Sequence, residues 1–425
     1  MATPIPVNAA EFSLVEIAGA TSGEMFGDAS LKVRGVSIDS RNLKGGELLF
    51  AWSGTPGTSF GAHVWQGREA LLNQHIFRVD FDEKTVEKRF FKYAINQKLD
   101  ELIGKAHGGV GLRHVTKGKF QQTAITVPPR AEQARIADKL ESLLGESDSC
   151  RERLDRVLHI LKKFREAVLE AAVSGKLTEE WRTAEGAVVW KTRKAGDACE
   201  LITKGTTPIR GFASAGVPFL KVYNIVDQKV EFTPRSQFVN METHERELAR
   251  SKIFPGDVLM NIVGPPLGKV ALIPHDFPEW NINQALALFR PRVELSSQWL
   301  YFVLCSGVNL RSIVRETHGM VGQANISLAQ CRDFDIPIPS LSEQTEIVRR
   351  IVGLFTWAQS VQTKCELALS AAIKLTPSLL AKAFRGELVR QDLNDEPAGD
   401  MLERVTAAAA NKSSKRAKTN GVARQ

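Results

Sequence analysis

From residue 136 to residue 168, positions 136, 140, 143, 147, 150, 154, 157, 161, 164 and 168 recur in alternating steps of four and three. They hold Ile, Leu, Leu, Ser, Cys, Leu, Val, Leu, Phe and Val. This is the period of a helix with one apolar stripe. Displaced by 211, the pattern returns at Ile347, Ile351, Leu354, Ala358, Val361, Cys365, Ala368, Ala372, Leu375 and Leu379. Between the first set lie Arg151, Glu152, Arg153, Asp155, Lys162, Lys163 and Arg165, which read as a solvated face. Each predicted helix begins behind proline with Glu-Gln in its first turn, where a carboxylate suits the macrodipole, and ends at Gly175 or Gly386. Pro377 is expected to bend the last turns of the second helix.

A single apolar stripe has to be buried, and the nearest partner for one such helix is its copy. The repeat is wider than the helices. Glu132-Gln133 falls on Glu343-Gln344 and Gly175-Lys176-Leu177 on Gly386-Glu387-Leu388 at an offset of 211. Upstream, His107-Gly108 matches His318-Gly319 at the same offset, while Asn73-Gln74 matches Asn283-Gln284, and Gly46 matches Gly256, at 210. Each copy is therefore a mixed domain followed by a long helix. The expected class is α+β: two mixed domains separated by two helices in an antiparallel pair, each helix of roughly 40 residues spanning about 60 Å. The expected boundaries are 1–127, 128–177, 188–338, 339–390 and a basic tail at 397–425. A helical hairpin inside one domain, or a dimerisation rod, would leave the matched mixed domains unexplained.

The net charge is +8, which suits a polyanionic partner, but five of the basic side chains lie within residues 411–425. That end lacks the apolar residues needed to order it, and reads either as a non-specific phosphate attractor or as a dispensable terminus. The five cysteines form no CxxC pair, so neither a zinc site nor a disulfide framework is indicated, which fits a reducing cytoplasm. No secretory leader pattern stands at the amino terminus, and no apolar run approaches the length of a membrane span.

The tracts VPPRAEQARIADKLESLL and LKKFREAVLEAAVSGKLTEEW, their echoes IPIPSLSEQTEIVRRI and LLAKAFRGEL, and the segment LLFAWSGTPGTSFGAHVWQGREALLNQHIFRVD resemble specificity subunits of Type I restriction-modification systems. So does the opening of the second half, VVWKTRKAGDACELITKGTTPIRG, which is similar to the start of a target recognition domain. The resemblance covers about residues 46 to 393. It implies two target recognition domains, each reading half of a bipartite double-stranded DNA site. Methyltransferase subunits would dock on the helices, and a restriction and translocase subunit would join for cleavage. It implies no catalysis and no cofactor on this chain, with S-adenosylmethionine, ATP and Mg on the partner subunits. A coiled-coil scaffold with one non-functional recognition domain is the alternative.

Candidate DNA contacts follow from residue chemistry. In the second half these are Lys204, Thr206 and Thr207 of the GTTP loop, then Lys221, Tyr223 and Asn224, then Asn261 and Lys269 around the turn GPPLGK. Asn281, Asn283 and Gln284 form an amide cluster of the kind that pairs with adenine, and Gln323 and Asn325 occupy a second glycine loop. For each, a turn or a buried polar network is the competing reading. The matching candidates in the first half are Ser53, Asn73, Gln74, Arg113 and His114.

The first half departs from the pattern. It has neither the WxxxxxGDxC opening nor the GTTP loop, and about residues 5–48 resemble instead the amino-terminal module of Mur ligases. Ligase activity is not expected, because the GKT-type phosphate loop is missing. Nor does the chain carry the NPPY or DPPY tetrapeptide of amino-methyltransferases.

Overall fold

The structure, a computed structural model, describes residues 15–16, 42–54, 60–72, 75–104, 113–116, 119–120, 123–186, 189–264, 266–316, 325–397, 399–400 and 403. The chain is mixed helix and sheet, and it divides into two compact units. One comprises 1–154 with 367–425, the other 155–366.

In the first unit, strands β1 (Val15–Glu16), β2 (Leu48–Ala51), β3 (Gly61–Val64) and β4 (Ile76–Arg78) form an antiparallel sheet in the order β1-β4-β2-β3. Strand β2 reads LLFA and is buried at every position. Its alternation serves two cores: Leu48 and Phe50 pack with Phe77, Phe90 and Phe120, while Leu49 and Ala51 pack with Leu43, Leu72 and Ile76. Helix α1 (Lys88–Gln97) is capped by Glu87, whose carboxylate accepts from Phe90 N.

In the second unit, β5 (Lys191–Lys194) is followed by β6 (Cys199–Lys204), β7 (Val217–Leu220), β8 (Phe238–Val239), β9 (Lys252–Ile253), β10 (Val258–Asn261), β11 (Val270–Leu272), β12 (Trp280–Ile282) and β13 (Leu286–Pro291). One sheet has the order β6-β13-β10-β11, the other β8-β7-β12-β9. Their facing residues, among them Leu220, Leu259, Ile282 and Leu288, share one core with the buried Trp280.

The two long helices are the 44-residue segments Arg130–Val173 and Leu341–Phe384. Each begins just behind a proline, and Pro377 is accommodated inside the second. Gly175 and Gly386 follow them at φ 77° and 74°, left-handed values that glycine takes without steric cost. Within the second unit the helices run antiparallel. Leu177 O accepts from Arg350 Nη1, Arg165 Nη1 donates to Gln362, and Phe164 packs edge-on against Trp357 at 5.5 Å. Val168 and Ala172 share a core there with Ile347 and Ile351. Within the first unit, Ile136, Ala137 and Leu140 share a core with Leu379 and Ala383.

Two expectations need correction. The predicted stripe is exposed at Cys150, Ala368 and Leu375; the first two are small side chains that leave little apolar area to bury. In addition, an 18-residue window of Leu341–Phe384 reaches a mean hydropathy of 1.3, so by length and composition this helix could cross a membrane. The same helix begins with the buried Glu343 and carries Glu346, Arg349 and Arg350 in its next turns, and its start is packed into the core of the second unit.

Candidate nucleic-acid interface

The GTTP loop leaves β6 at Lys204 and is pressed onto the turn that joins β12 to β13. Gly205 makes this possible: a Cβ at that position would lie 1.9 Å from Ile282 O. Gly205 N donates to Leu286 O and Thr206 N to Ile282 O, each at 3.3 Å. With the backbones in contact, Thr207 Oγ1 meets Gln284 Oε1. Arg250 Nη2 reaches Thr206 Oγ1 at 2.9 Å. Lys204, Thr207, Gln284 and Arg250 are all exposed. One edge of the second unit thus gathers an ammonium, a guanidinium, hydroxyls and a side-chain amide, the donor set that meets phosphates and base edges.

Several predicted contacts lie elsewhere. Asn224 is buried: its Oδ1 accepts from Lys221 N and its Nδ2 donates to Glu231 O and Arg235 O. Asn261, also buried, accepts from Lys269 N at 2.7 Å and donates to Pro266 O at 2.8 Å, closing the glycine turn from within. The Lys269 ammonium donates to Ile225 O at 3.0 Å. Asn281 is fully buried on β12 and bonds His244 and Ser251 O. The reading of Asn224, Asn261 and Asn281 as DNA contacts is corrected: these buried amides satisfy backbone groups and side chains that would otherwise be left unpaired, whereas Lys269 is half-buried and stays a candidate. Lys221 sits over the Phe212 ring at 4.3 Å, and Tyr223 lies under Arg235 at 5.4 Å. Asn283 N donates to Leu220 O, and its Oδ1 is buried with no hydrogen-bond partner among the described residues. Asn325 is exposed and bridges to Val263.

In the first unit, Ser53 pairs with His114 and Gly54 with Arg113 in a two-stranded ladder. Asn73, Gln74 and Gln323 lie outside the described residues.

Sequence reasoning missed three features. Arg250 is 44 positions from its partner Thr206, and no spacing announces it. Gln133 and Gln344 were aligned but given no task. Gln133 accepts from Glu87 N and donates to Thr85 O and Pro128 O; Gln344 accepts from Ser296 N and donates to Glu294 O and Pro339 O. The third is Glu343, whose buried carboxylate collects Thr178 Oγ1, Arg182 Nε and Trp190 Nε1. Burial pushes the Cys199, Cys305 and Cys331 thiols up to about 12, so all three are protonated at neutral pH.

The matched glutamines, the matched glycine caps and the matched helices recur in a chain of mixed helix and sheet, with Gln133 and Gln344 each bonded to backbone upstream of its own long helix. The profile of the Type I restriction modification DNA specificity domain matches residues 32–158 and 188–358. The chain belongs to this family of Type I restriction-modification specificity subunits. It is 31% identical over 366 residues to the EcoBI specificity subunit of Escherichia coli, covering 83% of this chain and 76% of the relative. It is 30% identical over 334 residues to the EcoKI specificity subunit of Escherichia coli K12, covering 77% and 71%. Its fold is similar to that of a chain solved in work on complex assembly and conformational transition of the type I R-M system. There the TM-score is 0.61 at 22% identity, over 82% of this chain and 85% of the other.

Proposed function

We propose that this chain is the DNA-reading specificity subunit of a Type I restriction-modification complex, that it recognises a bipartite target, and that it performs no chemistry itself. The observation that carries the reading is the duplication. One module type is used twice, and each copy is fixed to its own helix by the same glutamine contact. Two readers related in this way suit two half-sites separated by unread bases, because half-site spacing is a geometric constraint. In the second module, the edge bearing Lys204, Thr206, Thr207 and Gln284 is the reading surface. In the first, Ser53, Arg113 and His114 remain the candidates, with Asn73 and Gln74.

Assembly with other subunits of the system belongs to the specificity role. Its finer form is proposed here: methyltransferase subunits on the long helices and a restriction and translocase subunit joining them. Val352 and Trp357, exposed apolar side chains of the second helix within the second unit, suit such docking. S-adenosylmethionine, ATP and Mg are assigned to those partners, and the complex to the cytoplasm.

The test is co-expression with the methyltransferase subunit, capture of the complex, and sequencing of methylated sites. Bipartite adenine methylation supports the proposal. Capture with half-site or no methylation favours a scaffold whose irregular first module no longer reads. Deleting residues 1–45 and repeating the methylation map decides whether the Mur-like lead-in contributes.

A further inference from the structure

We infer that residues 240–251 of the second module form a further DNA-reading element, in which Arg250 makes the contact and His244 positions it. This inference rests on the DNA-recognition reading above.

The segment NMETHERELARS has an unusual backbone. Thr243–Glu247 forms a π-helical turn and Ala249–Ser251 a 3₁₀ turn directly after it. Such turns persist where the surroundings fix them, and they concentrate at functional sites. Here the fixing group is the fully buried His244. Its Nδ1 lies 3.0 Å from Asn281 Oδ1 and its Nε2 lies 2.6 Å from Glu279 Oε2. The orientation of the Asn281 amide is settled at its other end, where Nδ2 donates to Ser251 O at 3.1 Å. The middle and the end of the segment are therefore both tied to one asparagine on β12. Leu248, also buried, packs with Val217, Phe219 and Val239 beneath it.

His244, Glu245 and Glu279 offer ligand atoms within 4.8 Å of one another, a spacing that could suit a metal ion. That space is already used. His244 and Glu279 are in direct hydrogen-bond contact, and Lys252 Nζ lies 2.5 Å from Glu245 and 3.9 Å from Glu279. The cluster acts as a latch with its own cation.

With the backbone held, the outer face of the segment presents Glu245, Arg246, Ala249 and Arg250 to solvent. Most of these charges are matched locally. Glu242 faces Arg210 at 3.1 Å and Arg246 at 3.6 Å, and Glu245 holds Lys252. Arg250 differs: its partner among the described residues is the neutral Thr206 hydroxyl. A guanidinium anchored by one N–H to a neutral oxygen keeps its full charge and four further donors in a fixed fork. Thr206 belongs to the same loop as Lys204 and Thr207, so Arg250 extends an edge already chosen for its donors. The chemistry it fits is a pair of acceptors on DNA, either the O6/N7 edge of guanine or two phosphate oxygens.

The test uses the full chain assembled with its methyltransferase subunit. DNA affinity is measured across a salt series and across single-base variants of the recognised site. Arg250→Ala is expected to weaken binding roughly ten- to a hundred-fold while leaving the thermal unfolding midpoint of the protein unchanged, because the side chain is exposed. If the acceptors are phosphate oxygens, all sequences weaken together, the salt slope falls by about 1, and Arg250→Lys largely restores binding. If they are a guanine edge, discrimination relaxes at one base pair and Arg250→Lys does not restore it. His244→Ala is expected to reproduce the Arg250→Ala loss, with the double variant no weaker than either single one. That non-additivity marks positioning and would be absent from a general loss of folding. Arg250→Ala with unchanged affinity, salt slope and base preference overturns the inference while leaving the DNA-reading proposal standing. A wild-type complex without sequence preference overturns both.

Discussion

Replacing Glu343 by glutamine should destabilise the protein by about 3 kcal/mol, whereas the same change at its repeat partner Glu132 should cost nothing or stabilise slightly. The two glutamates open the two long helices and are equally hidden, at 0% and 2% exposure. Their surroundings differ. Glu343 accepts from Thr178 at 2.8 Å, Trp190 at 2.8 Å and Arg182 Nε at 2.9 Å, and the Arg182 side chain is 21% exposed. Breaking a buried ion pair costs about 3–5 kcal/mol when the surviving charge is sealed from water. The partial exposure of Arg182 moves the figure to the low end. A glutamine also turns an N–H toward donors, so no second acceptor oxygen replaces the one lost. Glu132 is the opposite case: its Oε1 is buried with no hydrogen-bond partner among the described residues, and burial raises its pKa against the opposing charge of Arg135. A neutral amide avoids the desolvation penalty that an ionised carboxylate meets there. Urea unfolding of the full chain measures both changes. Hydrogen exchange read on peptides spanning 174–194 and 385–397 localises them. Equal destabilisation by the two substitutions would refute the claim that one carboxylate is fully partnered while the other carries a buried, unbonded oxygen.

Three further outcomes follow from the same geometry. Because the folded pKa of Glu132 is raised, the native state binds more protons between 4.5 and that raised value. Stability should therefore fall as pH rises through this window, and Glu132→Gln should flatten the dependence in a series of unfolding midpoints. Asn281→Ala should cost about 2–3 kcal/mol by leaving His244 Nδ1 and Ser251 O unpaired, and a thermal unfolding scan checks it. Gly205→Ala should drive the GTTP loop off the 282–284 turn, speed amide exchange at 204–208 and reduce DNA affinity. An unchanged exchange pattern would show that the close approach is dispensable.

The helices were legible because their signal is periodic and repeated. A 3.5-residue alternation over more than thirty positions, copied at an offset of 211, admits few alternatives, and the glycine stops fell where left-handed caps close both helices. The candidate site was only partly legible. Lys204, Thr206, Thr207 and Gln284 were visible because a glycine and paired hydroxyls mark a loop. Asn224, Asn261 and Asn281 have the same side-chain chemistry as a base-reading amide, and nothing local distinguishes an asparagine that bonds adenine from one that bonds a buried carbonyl. Only the third dimension separates them. Arg250 was invisible for the converse reason. An arginine in a charged run reads as solvated surface, and its meaning comes from Thr206, which the sequence does not place beside it.

Gln133 and Gln344 show what duplication conserves. Each side chain bonds one backbone N–H and two backbone carbonyls, and the matched residues it holds differ in side chain, Glu87 against Ser296 at the N–H and Thr85 against Glu294 at a carbonyl. A contact made to backbone groups alone tolerates sequence change around it. The modules can therefore diverge in what they read while the angle between each module and the start of its helix stays fixed. Leucine fills nearly the same volume but pairs with none of these groups, so Gln133→Leu and Gln344→Leu each leave one N–H and two carbonyls buried. At roughly 1–3 kcal/mol per buried unpaired group, with partial relaxation, each should cost about 3 kcal/mol. In the assembled complex, Gln344→Leu should weaken recognition of the half-site read by the second module more than that of the other. If both half-sites are methylated as in the wild type, with unfolding midpoints unchanged, the glutamines do not set the joint.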